Sequence, residues 1–269
     1  LDGTLLWKRN LGEVRVGASL GEGCSPVLHH GRLIIVRDHA GQSSIEVLEA
    51  ATGQTVWKRT RDEKNAWATP KIYAKDGKQT QVVTAASNFI RSYDLDTGEV
   101  IWQCSGLTGN VTPSPVIYDD MVICMSGYEG HSVMALKLDS EGDVSGSSAV
   151  VWSGDKGTPY IPSPLLFDDQ LYFTQSNKGI LTSLNVTNGE AIIERTRLPD
   201  IQNIYASPVG ANGHVYFAGR TGAIVVLKHA NELNVVATNK LDDEFNASPV
   251  PVGDLSLIHI SEPTRPGII

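Results

Sequence analysis

The chain is short of charge, cysteine and long apolar runs, and each shortage removes a class of function. Only 19% of its 269 residues are charged, 30 acidic against 22 basic, giving a net charge of −8. No run rich in Lys and Arg occurs, so no nucleic-acid partner is expected. The longest apolar runs, 33–36 and 223–227, fall far below the roughly 20 residues of a membrane-spanning helix, so no transmembrane segment is expected either. The three cysteines, Cys24, Cys104 and Cys124, are widely separated and form no C-x-x-C. They read as small buried hydrophobes rather than as a disulfide framework or a zinc site. A G-x-S-x-G elbow, an H-E-x-x-H pair and a phosphate-binding P-loop are all missing.

What is present is a core-forming share of apolar residues, 41%, together with 26 glycines spread as dense punctuation. That combination favours many short strands joined by tight turns over a helical bundle. Six Ser/Thr-Pro pairs recur, with prolines at Pro26, Pro70, Pro115, Pro164, Pro208 and Pro249, spaced 44, 45, 49, 44 and 41 residues apart. A second marker runs in phase with the first, a turn glycine four residues before a tryptophan. It appears as Gly3 and Trp7, Gly53 and Trp57, and Gly98 and Trp102. Gly189 begins a degenerate copy in which Ile193 replaces the tryptophan, and Trp152 follows a longer loop at 139–148. A strand-built period of 40 to 50 residues is the signature of propeller blades.

One unit can be read strand by strand. Ser25-Pro26-Val27-Leu28 opens an inner strand, with proline where no ladder donor is needed. His30-Gly31 turns into residues 32–36, residues 44–48 alternate as a third strand, and Thr52-Gly53 closes the hairpin into Val56-Trp57. Later units turn at Asp119-Asp120, Asp168-Asp169 and Asn212-Gly213. Tryptophan at the end of a blade is expected to wedge against the neighbouring sheet, with its N–H on a backbone acceptor.

The segments LEAATGQTVW (48–57) and YDLDTGEVIW (93–102) resemble the tryptophan-docking repeat of the quinoprotein, or PQQ-like, β-propellers. Within that superfamily the chain is most similar to the BamB-like bacterial PQQ-binding-like repeat proteins. The resemblance implies an all-β propeller of four-stranded blades, periplasmic or secreted, in which Trp7, Trp57, Trp102 and Trp152 are structural docking residues. Complete blades are expected near 25–57, 69–102, 114–152, 163–195 and 207–238, with partial ones at 1–7 and 248–253. Family propellers usually have seven or eight blades, so the expected form is an incomplete arc of about five full blades within 1–253. The chain starts at Leu1 inside the repeat, and any export signal is expected to lie outside it. Residues 254–269 resemble a translated sequencing adapter and are expected to be a non-native tail.

The residues themselves offer no catalytic constellation, and the Asp pairs are accounted for by turns and exposed loops. Quinoprotein dehydrogenases need a quinone, a metal with acidic and amide ligands, and a catalytic aspartate. PQQ and Ca2+ therefore enter only under the alternative that the chain is part of such an oxidoreductase. The candidate functional surface is the segment leading into each Ser/Thr-Pro, around one mouth of the propeller channel. It offers Glu22, Trp67, Asn110, Tyr160, Asn203, Tyr205 and Asn246, the aromatics and amides used in concave recognition sites. Packing between blades explains the aromatics equally well. A second polar set occupies loops expected near one end of the ring: Arg37-Asp38-His39, Ser87-Asn88, Tyr128-Glu129, Ser176-Asn177-Lys178 and Arg220. The reading favoured is a noncatalytic scaffold that binds a protein partner or an envelope polymer. A glycan- or small-ligand-binding propeller is favoured instead if Trp67, Tyr160 and Tyr205 are solvent-exposed.

Overall fold

The computed structural model describes residues 2–17, 20–252 and, for the backbone alone, 255–257. It contains no α-helix among the described residues, and its contacts divide it into two compact units, Leu1–Gly154 and Asp155–Ile269.

The first unit holds three antiparallel blades. Blade 1 runs β1 (Val27–His29), β2 (Arg32–Arg37), β3 (Ser44–Glu49) and β4 (Thr55–Thr60) in sequence order. Blade 2 is β5 (Lys71–Tyr73), β6 (Gln81–Ala85), β7 (Ile90–Asp94) and β8 (Val100–Cys104). Blade 3 comprises β9 (Val116–Tyr118), β10 (Met121–Ser126) and β11 (Ser132–Lys137), then the short β12 (Gly142–Asp143), then its own outer strand β13 (Val150–Gly154). The β12 strand leaves its blade and pairs in parallel with β8 as a fifth strand of blade 2. The second unit holds blade 4, β14 (Leu165–Phe167), β15 (Gln170–Thr174), β16 (Ile180–Asn185) and β17 (Ala191–Arg197). Blade 5 follows with β18 (Val209–Ala211), β19 (His214–Ala218), β20 (Ala223–Lys228) and β21 (Val235–Lys240).

A final hairpin pairs β22 (Val250–Val252) with β23 (Leu255–Leu257). The expected foreign tail, 254–269, otherwise lies outside the described residues, as does Leu1.

The middle strands of the blades are covered on both faces, so residues 44–48, expected to alternate, are all buried. In β6, Val82 joins the core shared with Ile34, Val47 and Trp57 of blade 1, whereas Val83 joins the core shared with Val122 and Leu136 of blade 3. All five β6 residues are buried. A strand covered on both faces needs apolar groups on both, and each fully buried valine contributes on the order of 1.5–3 kcal/mol. The turn residues behave as their chemistry demands: His30, Asp119, Asp168 and Asn212 all adopt positive φ. Asp and Asn tolerate that region because their short polar side chains bond locally.

Tryptophan docking follows one geometry twice. Trp7 donates Nε1–H to the Ala50 carbonyl at 2.8 Å, and Trp57 donates to the Leu95 carbonyl at 2.7 Å. Each ring lies flat on the turn glycine of the next blade. A Cβ on Gly53 would meet Trp7 at 2.6 Å, and one on Gly98 would meet Trp57 at 2.5 Å. Glycine is thus required twice over at these turns, for φ near +70° and for the ring above it.

Blade 3 lacks the Thr-Gly turn, and Trp102 docks differently. Its Nε1–H reaches the Gln81 side-chain oxygen at 3.2 Å, and Gln81 Nε2 donates to the Leu138 carbonyl at 2.9 Å. One amide side chain bridges the gap left by the longer loop, and that loop instead supplies β12. Blade 4 uses the matching glutamine where tryptophan is lost. Tyr172 donates its hydroxyl to Gln170 Oε1 at 2.6 Å in the blade where Ile193 faces Ser183. Burial pushes the Tyr172 phenol up to about 12, so it remains a donor at neutral pH.

Candidate functional site

The Ser/Thr-Pro repeat is a structural device. In the first unit the Thr69 hydroxyl accepts the Ser25 amide at 3.1 Å, and the Ser114 hydroxyl accepts the Thr69 amide at 3.2 Å. In the second, Ser207 accepts from the Ser163 amide at 3.0 Å and Ser248 from the Ser207 amide at 2.9 Å. Each amide sits at the start of an inner strand, where the sheet offers no acceptor, and the hydroxyl of the neighbouring blade satisfies it. Blades are stitched together at the residue the sequence repeats.

Within each unit the lead-in segments before these pairs meet residues of the second polar set. In the first unit Trp67 is half-buried; its backbone N–H donates to the Val111 carbonyl at 2.7 Å and its Nε1–H to the Gly21 carbonyl at 3.1 Å. One residue therefore links the lead-in segments of blades 1, 2 and 3. Glu22 is exposed and pairs with Arg37 at 2.5 Å. Asn110, at φ +56°, donates its backbone N–H to Ser87 Oγ at 3.2 Å.

In the second unit Asn177 holds two lead-in segments, accepting the Ile161 amide on its side chain at 3.2 Å and the Ile204 amide on its carbonyl at 2.9 Å. Tyr160 is half-buried, and its amide bonds the Ser176 carbonyl at 3.0 Å. Arg220 gathers the remainder. Its amide donates to the Asn203 carbonyl at 2.9 Å, its guanidinium lies 4.6 Å above the Tyr205 ring, and Glu244 is 3.9 Å away. Asn203 and Asn246 are exposed, whereas Phe245 is 1% exposed and clusters with Ala206 and Ala218. Trp67, Tyr160 and Tyr205 thus split their surface between packing and solvent.

Asp38 and His39, of the second polar set, are buried, being 7% and 6% exposed. Asp38 receives a bidentate pair from Arg61, at 2.7 and 2.9 Å, and Arg61 also donates to Thr84 at 3.0 Å and to the Tyr93 hydroxyl at 2.6 Å. Beside it, Glu63 accepts from Arg91 at 2.9 Å and from the amides of Asn88 and Phe89 at 2.9 and 3.2 Å. Burial pushes the Glu63 carboxyl above its ordinary value, opposed by the Asn88 amide and the two arginines. This network between blades 1 and 2 escaped the sequence reading, because Arg61-Asp62-Glu63-Lys64 looks like a solvated charge run and no local spacing marks its partners.

The three cysteines are not joined in disulfides, and Cys104 and Cys124 are buried. Burial pushes Cys24 up to about 12 and also raises Cys104 and Cys124. A calcium-bound quinone would need converging oxygen ligands. Among the described residues no three His, Cys, Asp or Glu side chains come together to hold a metal. Among the described residues the buried carboxylates Asp38, Glu46 and Glu63 are each engaged by arginine, and Asp94 by Gln79 and the Asp96 and Thr97 amides.

Comparison with known proteins follows the geometry. A family model described as outer membrane protein assembly factor BamB matches residues 1–192 and 45–268. No curated protein sequence matches the chain significantly. Among solved structures, quinohemoprotein alcohol dehydrogenase from Comamonas testosteroni superposes with a TM-score of 0.63 at 13% identity, covering 88% of this chain and 45% of that one. The computationally designed Ika8 protein gives 0.63 at 13%, covering 87% and 66%. BamB from Moraxella catarrhalis gives 0.46 at 16%, covering 82% and 76%. The chain spans less than half of the Comamonas enzyme, and likeness at these identities establishes the propeller fold alone.

Proposed function

This chain belongs to the family described as outer membrane protein assembly factor BamB, and from that premise we propose a noncatalytic binding propeller of the bacterial cell envelope, periplasmic or secreted. In this reading its lead-in segments bind a protein partner. The observation that carries it is the division of labour around those segments. Hydroxyls, buried carboxylates and arginines are engaged in holding blades together. In the first unit the half-exposed Trp67 ring, and in the second the half-exposed Tyr160 and Tyr205 rings with the exposed Asn203 and Asn246, lie on segments bonded to the neighbouring loops. Large amphipathic rings on a rigid frame are what protein interfaces favour, because they bury much area while losing little entropy.

The test is photo-crosslinking in bacterial cells expressing the 269-residue chain, with a photoreactive residue at Asn203 or Glu22 and a control at exposed Glu190. The expected result is a discrete protein adduct from Asn203 or Glu22 and none from Glu190. Polysaccharide adducts alone would favour an envelope polymer. For the oxidoreductase alternative, the purified chain is titrated with PQQ and CaCl2 and followed by absorbance and calorimetry. No saturable binding is expected, and a stoichiometric complex overturns the noncatalytic reading.

A further inference from the structure

Two Asn-Gly pairs occur in the chain, Asn188-Gly189 and Asn212-Gly213, and both form turns with glycine at positive φ, +73° and +70°. An asparagine before glycine can lose its side-chain amide, because no Cβ shields the following backbone nitrogen from the side-chain carbonyl carbon. The two turns differ in how firmly they hold the groups that would react.

At Asn188 all of those groups are engaged. Its Nδ2 donates to Glu190 Oε2 at 2.8 Å, its Oδ1 accepts the Glu190 amide at 3.0 Å, and the Gly189 amide donates to the Asn185 carbonyl at 2.9 Å. Asn212 sits in the two-residue loop between β18 and β19, where Ala211 faces His214 across the hairpin. It is exposed, as is Gly213. Neither the Asn212 side chain nor the Gly213 N–H has a protein partner among the described residues. The bond that Asn212 does make works towards the reaction. His214 Nδ1 lies 2.8 Å from the Asn212 backbone carbonyl oxygen, and a carbonyl only accepts, so this ring nitrogen carries a proton. That oxygen belongs to the peptide unit whose nitrogen is that of Gly213. A donor placed on it stabilises the negative charge that the unit takes on as the Gly213 N–H is lost.

We propose that Asn212 is a site of spontaneous deamidation and that Asn188 is protected from it. The Gly213 nitrogen attacks Asn212 Cγ, a succinimide ring closes as the Cγ–Nδ2 bond breaks, and ammonia leaves with the proton from the Gly213 amide. Water then opens the ring to aspartate or isoaspartate, adding a negative charge to the loop. Isoaspartate also lengthens the backbone of a hairpin whose Gly213 carbonyl accepts the His229 amide at 2.9 Å, and the His229 ring in turn meets the Tyr172 hydroxyl of blade 4 at 2.8 Å. The change therefore falls on a link between blades 4 and 5.

The test incubates the purified 269-residue chain at neutral pH, folded and in urea, and follows its tryptic peptides 179–195 and 198–220 by mass spectrometry; each contains one of the Asn-Gly pairs. In the folded chain Asn212 is expected to convert at least about tenfold faster than Asn188, since freeing Asn188 breaks several hydrogen bonds. In urea the two rates are expected to converge. Equal rates in the folded chain, faster conversion at Asn188, no conversion at Asn212, or the same ratio in urea would each overturn the proposal. His214→Phe is expected to slow Asn212 about fivefold, as loss of one hydrogen bond does, while leaving the Asn188 rate unchanged. An unaltered Asn212 rate in that variant refutes the part given to the histidine.

Discussion

Replacing Gly98 by alanine should expose how much the docked tryptophan contributes to blade packing. Gly98 has φ +73°, and a Cβ there would lie 2.5 Å from Cδ2 and 2.6 Å from Cε3 of Trp57. Holding alanine in the left-handed region costs about 1–2 kcal/mol. Ordinary carbon contacts sit near 3.5–4.0 Å, so the ring must retreat by about 1 Å. That retreat strains the Nε1–H bond to Leu95, now 2.7 Å, and overpacking of this kind costs about 1–3 kcal/mol. The total is about 2–5 kcal/mol. Gly77 provides the control: its φ is +74° and nothing lies within 4 Å of a Cβ, so Gly77→Ala should lose only the backbone share. All five tryptophans lie at or before residue 152, so intrinsic fluorescence during urea unfolding reports the first unit. Trp57→Ala should itself cost about 3–5 kcal/mol, and in its background Gly98→Ala should fall to the Gly77 value. Equal losses for Gly98→Ala and Gly77→Ala in the wild-type chain would refute the docking account.

Three further outcomes follow from the same geometry. Ser207→Ala removes the acceptor of the Ser163 amide and should cost about 1–3 kcal/mol, with faster hydrogen exchange at that amide; Ser207→Thr should preserve protection. Arg61→Met strands the Asp38 carboxylate, 2% exposed at its side chain, and should destabilise by about 3–5 kcal/mol in chemical denaturation, partly recovered by Asp38→Asn in the same chain. Burial works against the charged Asp94 carboxylate, but Gln79 and the Thr97 and Asp96 amides outweigh it and hold its pKa below the ordinary value. A lowered carboxylate favours the folded state above its unfolded pKa, and this contribution is lost as pH falls through the folded value. Acid titration of stability should therefore lose a component below about pH 4, and Asp94→Asn should flatten it.

What could be read in advance was whatever acts locally and repeats. The Thr-Gly turn and the tryptophan four residues later are fixed by backbone conformation and ring contact, and the repeat displayed both requirements together. The turn residues Asp119, Asp168 and Asn212 were legible for the same reason, since positive φ is a demand that a short stretch of sequence must meet. The Ser/Thr-Pro pairs were visible as a period but not as a ladder. Their hydroxyls act on the amide of the preceding blade, 44 or 45 residues away in the first unit, and only the assembled blades show which group they satisfy. Gln81 and Gln170 lie further from reach. Each looks like an ordinary strand residue, yet each completes a docking arrangement altered elsewhere, by the missing turn after Leu138 or by Ile193 in place of tryptophan. The same limit hid Arg61, Glu63 and Arg91. A buried ion pair is specified by the partner it meets, and that partner lies 23 residues away for Arg61 and Asp38 and 28 for Arg91 and Glu63. Repetition thus made the scaffold readable, while the individuality of the molecule lies at positions where one blade departs from the repeat and its neighbour compensates.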